Sequence, residues 1–403
     1  MKIKLMRFID YNIGIPLCFL FSVIHFMLKP LFFGPKPGVT PKKILIIKLS
    51  EMGSVILSYP LLNAIKLKYP SAELFFLTFC KNKPIAEILN IVPRNNILTI
   101  RDDSFLKLAV DAVKVLKNIR RERIDIVFDL ELFSRFTSML SYLSGVFKKV
   151  GFYRYYVEGL YRGSFLTHRV QYNPTLHISK SFLSLLQGVD LKTKINPTQE
   201  EKIEDINIRL PRFFSSQEAE KQIWAKLKEL DPAINNEFRL ILIHPGEGNL
   251  PLREWPLINF TVLIDKILKD NKSYIIIVGA KDAHKNAEFL CKSANNNRCL
   301  NLTGKTSVEE VLNLCNIATL LVTTDSGLAH IASLTPIKNF VLFGPESPRI
   351  YSPLGENTSI IYANLPCSPC FSAFNHRQSA CQDNRCLKSI SVDEVYDLMK
   401  REL

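Results

Sequence analysis

The sequence predicts an α/β protein of two doubly wound domains, each an open parallel sheet with helices on both faces, behind an N-terminal apolar helix. Three observations predict it. Short runs of Ile, Leu, Val and Phe, such as Lys43–Lys48 and Arg239–His244, have the pattern of strands buried on both faces. They alternate with stretches of helical period, which is the βαβ signature. The alternation pauses over a polar stretch near residues 191–235 and then resumes, so there are two series. At 403 residues the chain can bury two separate cores.

Composition narrows the classes of function. A hydrophobic fraction of 47% with 22% charged residues excludes a disordered chain. The net charge of +14 points to anionic partners. No zinc-finger spacing, RNA-binding signature or long Lys/Arg block is present, which argues against nucleic acid. Nine cysteines, an odd number and mostly scattered, fit a reducing compartment better than a disulfide scaffold.

Residues 1–41 stand apart. Lys2, Lys4 and Arg7 precede an apolar run from Ile13 to Phe33, closed by the linker Gly34-Pro-Lys-Pro-Gly38. The run is about long enough to cross a bilayer. Pro16 and Pro30 interrupt it, however, and Cys18, Ser22, His25 and Lys29 form a polar stripe at helical spacing. Such a stripe with basic flanks favours a helix lying in the plane of an anionic membrane surface. Packing on the protein's own surface is the alternative. No small-x-small cleavage site follows, which argues against a secretory signal.

The first series then runs in order. Lys43–Lys48 is a strand, Leu49–Ser54 a Gly-containing turn, and Val55–Tyr69 a helix with Pro60 in its first turns. Ala72–Phe79 is a strand, Lys83–Leu89 a short helix and Asn96–Ile100 a strand. Phe105–Arg121 is a helix, Ile124–Leu130 a strand and Phe136–Leu143 a helix. Lys149–Tyr153 opens an aromatic, Arg-rich segment that reaches Tyr172. One helix, Gln217–Leu230, interrupts the polar connection.

In the second series Arg239–His244 is a strand, Pro245–Gly248 a turn and Leu257–Leu268 a helix. Ser273–Gly279 is a strand, and Asn286–Ala294 and Val308–Cys315 are helices. Leu320–Thr324 is a strand that passes through Asp325, Ser326 and Gly327 into a helix ending before Pro336. Asp325 or Ser326 takes the N-cap position, and unpaired N–H groups at such a helix start suit a phosphate. Phe340–Phe343 is the last expected strand, and Ser391–Leu403 a final helix.

Two similar α/β halves suggest a ligand cleft at the carboxyl ends of their strands. Four stretches bear on what it binds. They are Lys43–Val55 with Tyr59-Pro-Leu-Leu and Tyr69-Pro-Ser-Ala-Glu73; His244-Pro-Gly-Glu-Gly248 with Arg253-Glu-Trp-Pro256; Thr324-Asp-Ser-Gly-Leu-Ala-His330; and Phe343-Gly-Pro-Glu-Ser-Pro348. In order and spacing they resemble glycosyltransferase family 9, the ADP-heptose:lipopolysaccharide heptosyltransferases. The likeness covers about residues 42–390.

The resemblance implies the GT-B fold, two Rossmann-like domains facing a central cleft. The acceptor-binding domain would be 42–195, the linker 196–235 and the donor-binding domain 236–390, with a C-terminal helix over 391–403. It implies inverting transfer from a nucleotide-sugar donor to a hydroxyl of a phosphorylated or lipid-linked glycan, with neither metal nor cofactor, on the cytoplasmic side of the inner membrane. Donor-site residues would be Gly246, Arg253, Asp282, Thr303, Asp325, Ser326, Gly327 and His330. Arg253 stands where the family carries a cation, usually Lys. Its fork suits phosphate oxygens, while Asp325 suits a sugar hydroxyl. Acceptor-side residues would be Gly53, Arg154 and Arg162, within a basic and aromatic segment that can equally be a solvated loop.

The family's catalytic base is an Asp in a Gly-Asp-Val sequence, and this chain reads Gly53-Ser54-Val55. Glu51, three residues earlier, is the candidate replacement, with Ser54 orienting it. The alternatives are another base or a catalytically silent protein that binds the donor. An epimerase of similar two-domain fold is a third option. Asp129-Leu-Glu131 has the look of a metal-binding carboxylate motif but ends a strand of the first half, and is expected to be structural. Cys367, Cys370, Cys381 and Cys386, around His376, could close a zinc site or be buried or redox-labile thiols.

Overall fold

The computed structural model describes residues 3–28, 40–132, 134–153, 161–190, 208–246, 251–375 and 377–403. The chain forms two compact units, Met1–Ile208 and Arg209–Leu403.

The first unit begins with helices α1 (Ile3–Asn12) and α2 (Gly14–Leu28). There follow β1 (Lys43–Ile47), α3 (Met52–Leu57), α4 (Tyr59–Lys68), β2 (Glu73–Phe79), α5 (Lys83–Ile88), β3 (Ile97–Ile100) and α6 (Phe105–Glu122). The unit closes with β4 (Ile126–Asp129), α7 (Arg135–Leu143), β5 (Lys148–Tyr153), β6 (His168–Gln171) and α8 (Ile178–Gly188). Its strands lie in the order β3-β2-β1-β4-β5-β6, all parallel.

The second unit contains α9 (Gln217–Leu230), β7 (Arg239–His244), α10 (Leu257–Leu268), β8 (Ser273–Ile277), α11 (His284–Ala294), β9 (Cys299–Asn301) and α12 (Val308–Ile317). It continues through β10 (Leu320–Thr324), α13 (Gly327–Ala332), β11 (Lys338–Phe343), α14 (Pro348–Tyr351), β12 (Thr358–Tyr362), α15 (Arg385–Lys388) and α16 (Val392–Lys400). The strand order is β12-β11-β10-β7-β8-β9, again parallel. Counted within its own unit, each sheet has the same order. Each therefore reverses direction between its first and fourth strands, which is where such sheets bind ligands.

The central strands are buried on both faces. Ile44–Ile47 of β1 and Leu240–Ile243 of β7 are almost fully enclosed. In the second unit Trp255, Phe260 and Leu263 pack on Ile241 and Ile243, with Val395 and Met399 of α16 in the same core. The Trp255 indole N–H donates to Ile390 O at 3.0 Å, so the chain ahead of α10 is pinned to the segment ahead of α16.

Several expectations are corrected. Val55–Tyr69 is two helices, because the backbone turns at Ser58 and Pro60 starts the second. A proline has no N–H to give an ongoing helix but fits a first turn. α1, β5, β6, α8, β9, α14, β12 and α15 were not expected. β9 is three residues long, the serines of α8 mask its period, and half of β12 is exposed at a sheet edge.

The N-terminal polar stripe takes the alternative given above and packs on the protein's own surface. Cys18 is buried, Ser22 Oγ accepts the Ser164 N–H at 2.8 Å, and the His25 ring meets Tyr142 edge-on at 5.6 Å. Lys29 lies outside the described residues. The polar stripe thus faces the protein, and α1 and α2 pack on α7. Asp10 accepts the N–H groups of Arg135 and Phe136 at the start of α7 and pairs with the buried Arg135 guanidinium at 3.0 Å. The outward face is apolar, with Phe19 64%, Phe26 78% and Met27 70% exposed.

Candidate active site

In the first unit the carboxyl end of β1 runs into the turn Lys48–Glu51, opposite the end of β4. Glu131 is buried there, and its Oε1 accepts from Lys48 Nζ (3.0 Å), Leu49 N (2.9 Å) and Ser50 N (3.0 Å). Burial alone would raise this carboxyl, but Lys48 and the two N–H groups hold it below the usual range. Asp129 is fully buried and paired with Arg162. Both carboxylates of the Asp129-Leu-Glu131 motif are therefore engaged, Glu131 in holding the turn and Asp129 in holding Arg162.

The turn so held presents Glu51 with φ +65° and ψ 103°, a conformation that side chains rarely adopt. Glu51 is exposed, Ser54 is buried in α3 beside the buried Gly53, and Ser54 Oγ donates to Glu51 Oε2 at 3.0 Å. The predicted pairing of these two side chains is thus present.

Arg162 is corrected. It is buried, with Nε on Ser134 O (3.0 Å), Nη1 on Phe152 O (3.3 Å) and Nη2 on Thr137 Oγ1 (3.3 Å) and Asp129. A guanidinium committed in this way braces the β4–α7 turn and is not available as an acceptor ligand. Lys149 is buried too, donates to Val146 O at 2.8 Å, and is pushed down to about 8 by that burial. Arg169 lies over the Tyr153 ring at 4.3 Å. Arg154 lies outside the described residues.

In the second unit the groups gather at the carboxyl ends of β7, β10 and β11. Gly246 follows β7 with φ +100°, where a Cβ would come within 2.8 Å of the Glu254 side chain, so the turn requires glycine. His244 is buried and lowered to about 4 by that burial, which keeps it neutral. Its Nδ1 is 3.1 Å from Thr323 Oγ1, which is 3.1 Å from Ser326 Oγ. Ser326 is the N-cap residue of α13 by backbone geometry, although its side chain makes no cap hydrogen bond.

Arg253 Nη2 donates to Asp325 Oδ2 at 2.6 Å and to Glu346 Oε1 at 3.2 Å, and Arg377 Nε reaches the same Glu346 oxygen at 3.0 Å. Burial raises the Asp325 and Glu346 carboxyls, Glu346 to about 7, and Arg253 opposes the rise in both. Asp325 is therefore the anchor of Arg253, which corrects its assignment to a sugar hydroxyl. Neither Glu346 nor Arg377 was singled out from the sequence. Glu346 sat unassigned inside a recognised motif, and Arg377 is too distant in the chain for any spacing to pair them.

The remaining candidates are more dispersed. Gly327 opens α13, and His330 is buried on it. Thr303 is buried, with its hydroxyl on Asn301 Oδ1 at 2.6 Å and within 3.1 Å of His284 Nδ1. Asp282 is exposed after β8. A cavity of about 640 Å³ between Leu230–Pro232 and Cys291–Cys299 opens at the amino end of β9, the wrong end of the sheet for these groups. The zinc option is not supported by geometry. Among the described residues no group of three or more His, Cys, Asp or Glu side chains could hold a metal ion. Cys367 and Cys381 are exposed, Cys386 is buried, and His376 lies outside the described residues.

Two six-stranded parallel sheets of the same winding, with polar groups collected at both switch points, define a GT-B-type protein. The match in fold is extensive. The structure of E. coli ADP-heptose lps heptosyltransferase II superposes with a TM-score of 0.69 over 89% of this chain and 98% of that one, at 19% identity. A Veillonella parvula glycosyl transferase of family 9 gives 0.70 over 90% and 97%, at 16% identity. The family model for glycosyltransferase family 9 (heptosyltransferase) matches residues 113–380, and the chain belongs to that family. Lipooligosaccharide heptosyltransferase 2 of Haemophilus influenzae is 30% identical over 162 residues, 40% of this chain and 46% of that protein. The H. ducreyi protein of the same name is 23% identical over 323 residues, 79% and 88% of the two chains. The H. influenzae match thus spans less than half the length of the relative.

Proposed function

We propose that the protein transfers heptose from ADP-heptose to a hydroxyl of a lipopolysaccharide-core or other lipid-linked glycan, by inversion and without a metal. The observation that carries this is the fixed position of Arg253 at the strand ends of the second unit, beside Asp325 and the start of α13. As the sugar leaves, negative charge grows on the diphosphate, and a preorganised guanidinium in a poorly solvated place stabilises it. Gly246, Ser326 and Gly327 line the same place. In the first unit Glu51 takes the proton from the acceptor hydroxyl, and Ser54 holds the carboxylate. Asp282 and Thr303 serve the nucleoside end of the donor.

The apolar outward face of α1 and α2 supports a position on the cytoplasmic surface of the inner membrane, where a lipid-linked acceptor would be met. One helical stretch, Leu5–Leu28, has the length and apolarity of a membrane span. The apolar exposure of Phe19, Phe26 and Met27, with Ser22 and His25 turned toward the protein, favours a helix half-sunk in one leaflet.

The alternative is a catalytically silent donor-binding protein, favoured by Ser54 at the position of the family's Asp. Incubation with labelled ADP-heptose and an acceptor extract, followed by mass spectrometry, tests the proposal. Heptosylated acceptor with release of ADP supports transfer, whereas unchanged acceptor with bound nucleotide supports the silent protein.

A further inference from the structure

The ion network around Arg253 contains a group that the transfer mechanism does not use. We propose that Glu346 is a positioning residue of the donor site, which fixes Arg253 in the free protein and takes up a proton when the nucleoside diphosphate binds. This rests on the donor-site assignment of Arg253 made above.

The geometry supports it in three ways. First, among the described residues the network carries no net charge while Glu346 is ionised, since Arg253 and Arg377 are balanced by Asp325 and Glu346. A neutral cluster is a poor receptor for a diphosphate. Second, Glu346 is fully buried, and its Oε2 has no hydrogen-bond partner among the described residues, while the buried Arg253 Nε is likewise unpartnered. An ionised carboxylate with one oxygen unsolvated is costly, and protonation of that carboxyl removes the cost. Third, the two carboxylates are not equivalent. Asp325 holds Arg253 at 2.6 Å, whereas Glu346 stands at 3.2 Å and shares its near oxygen with Arg377.

Among the described residues, the charged and titratable groups around Glu346 come from four segments. They are Arg253 ahead of α10, Asp325 after β10, Tyr351 of α14 and Arg377 of the C-terminal loop, whose guanidinium stacks on the Tyr351 ring at 4.8 Å. A diphosphate arriving at Arg253 adds negative charge beside two carboxylates, and like charge favours the protonated form of the weaker acid. Burial already holds Glu346 near 7, with Asp325 adding to the rise and Arg253 opposing it. Once Glu346 is neutral, the network is left with one net positive charge facing the ligand.

The test is calorimetry of the full-length chain with ADP at pH 7.5 and 8, in HEPES and in Tris. ADP's own phosphate titrates at about pH 6, so it contributes little there. The dependence of the observed enthalpy on buffer ionisation gives the protons taken up. We expect roughly half a proton or more per ADP, and affinity that falls severalfold per pH unit above 7. Glu346→Gln should abolish both the uptake and the pH dependence, and bind ADP at pH 8 at least as tightly as the natural protein. A merely structural glutamate would instead weaken binding equally at every pH, and that result overturns the proposal. So does ADP binding without proton uptake in the natural protein, a measurement that does not depend on the variant folding. If the natural protein binds no ADP, the donor site itself is wrongly placed and the inference falls with it.

Discussion

Ser54 Oγ donates to Glu51 Oε2 at 3.0 Å within a turn where Glu51 is held at φ +65°. The residue that the motif resemblance sets in place of the family's catalytic Asp is thus tied to a carboxylate three positions away. Glu51→Gln should lower turnover on the order of a hundredfold or more and leave ADP affinity unchanged. Full activity in that variant would remove Glu51 as the base. Transfer seen only in Ser54→Asp would show that the natural chain has lost its chemistry.

Arg253 is expected to have two separable roles. Arg253→Ala removes a charge-assisted contact to the donor, weakening ADP binding by roughly 1.5–3 kcal/mol. It also takes the buried Asp325 carboxylate from its cation and leaves Glu346 with Arg377, which costs about 3–5 kcal/mol of stability. Arg253→Lys keeps the charge but not the fork, and should fall between. Calorimetry with ADP and denaturant melts read the two effects independently, and unchanged ADP affinity in Arg253→Ala would place the diphosphate elsewhere.

Membrane attachment is expected to depend on the outer face of α2. Phe19→Ser, Phe26→Ser and Met27→Ser together should release the protein from vesicles containing anionic lipid, with little change in melting temperature. Deleting residues 1–38 should release it as well. That deletion also takes Asp10 from the buried Arg135, so it lowers stability in a way that the surface substitutions do not. A triple variant that still sediments with vesicles would show that the attachment lies elsewhere.

His244 sets a dependence of stability on pH. Its folded value is depressed to about 4 by burial, below the 6.5 of a free histidine. As pH falls through 6.5 the unfolded chain gains a proton that the folded chain refuses, so stability is lost between about pH 6.5 and 4. The loss should amount to something on the order of 3 kcal/mol. His244→Gln, which can still bond Thr323, should flatten that part of the profile in denaturant titrations. An unchanged profile would assign the loss to other groups.

Much of this was legible in the chain itself. Strands such as Arg239–His244 and helices such as Leu257–Leu268 and Gln217–Leu230 appear with the expected bounds, because their burial periods are unbroken and their ends carry proline, glycine or a capping serine. Edge elements were less legible. β9 and β12 bury too little to imprint a pattern, and Ser58 breaks a helix whose apolar period runs through it.

The sequence by itself determined the two wound series, the family motifs and the Glu51–Ser54 pair, all of which depend on residues within a few positions of each other. Tertiary structure alone decided which charges are spent and which remain for a ligand. Arg162 and Arg253 look alike as isolated basic residues. The fold ties Arg162 to Asp129 and three other acceptors, and sets Arg253 between Asp325 and Glu346 with its Nε left over. It likewise turned the polar stripe of α2 inward, leaving the apolar face exposed. A guanidinium's partners and a helix's buried side are chosen by elements far away in the chain, and local sequence carries no record of that choice.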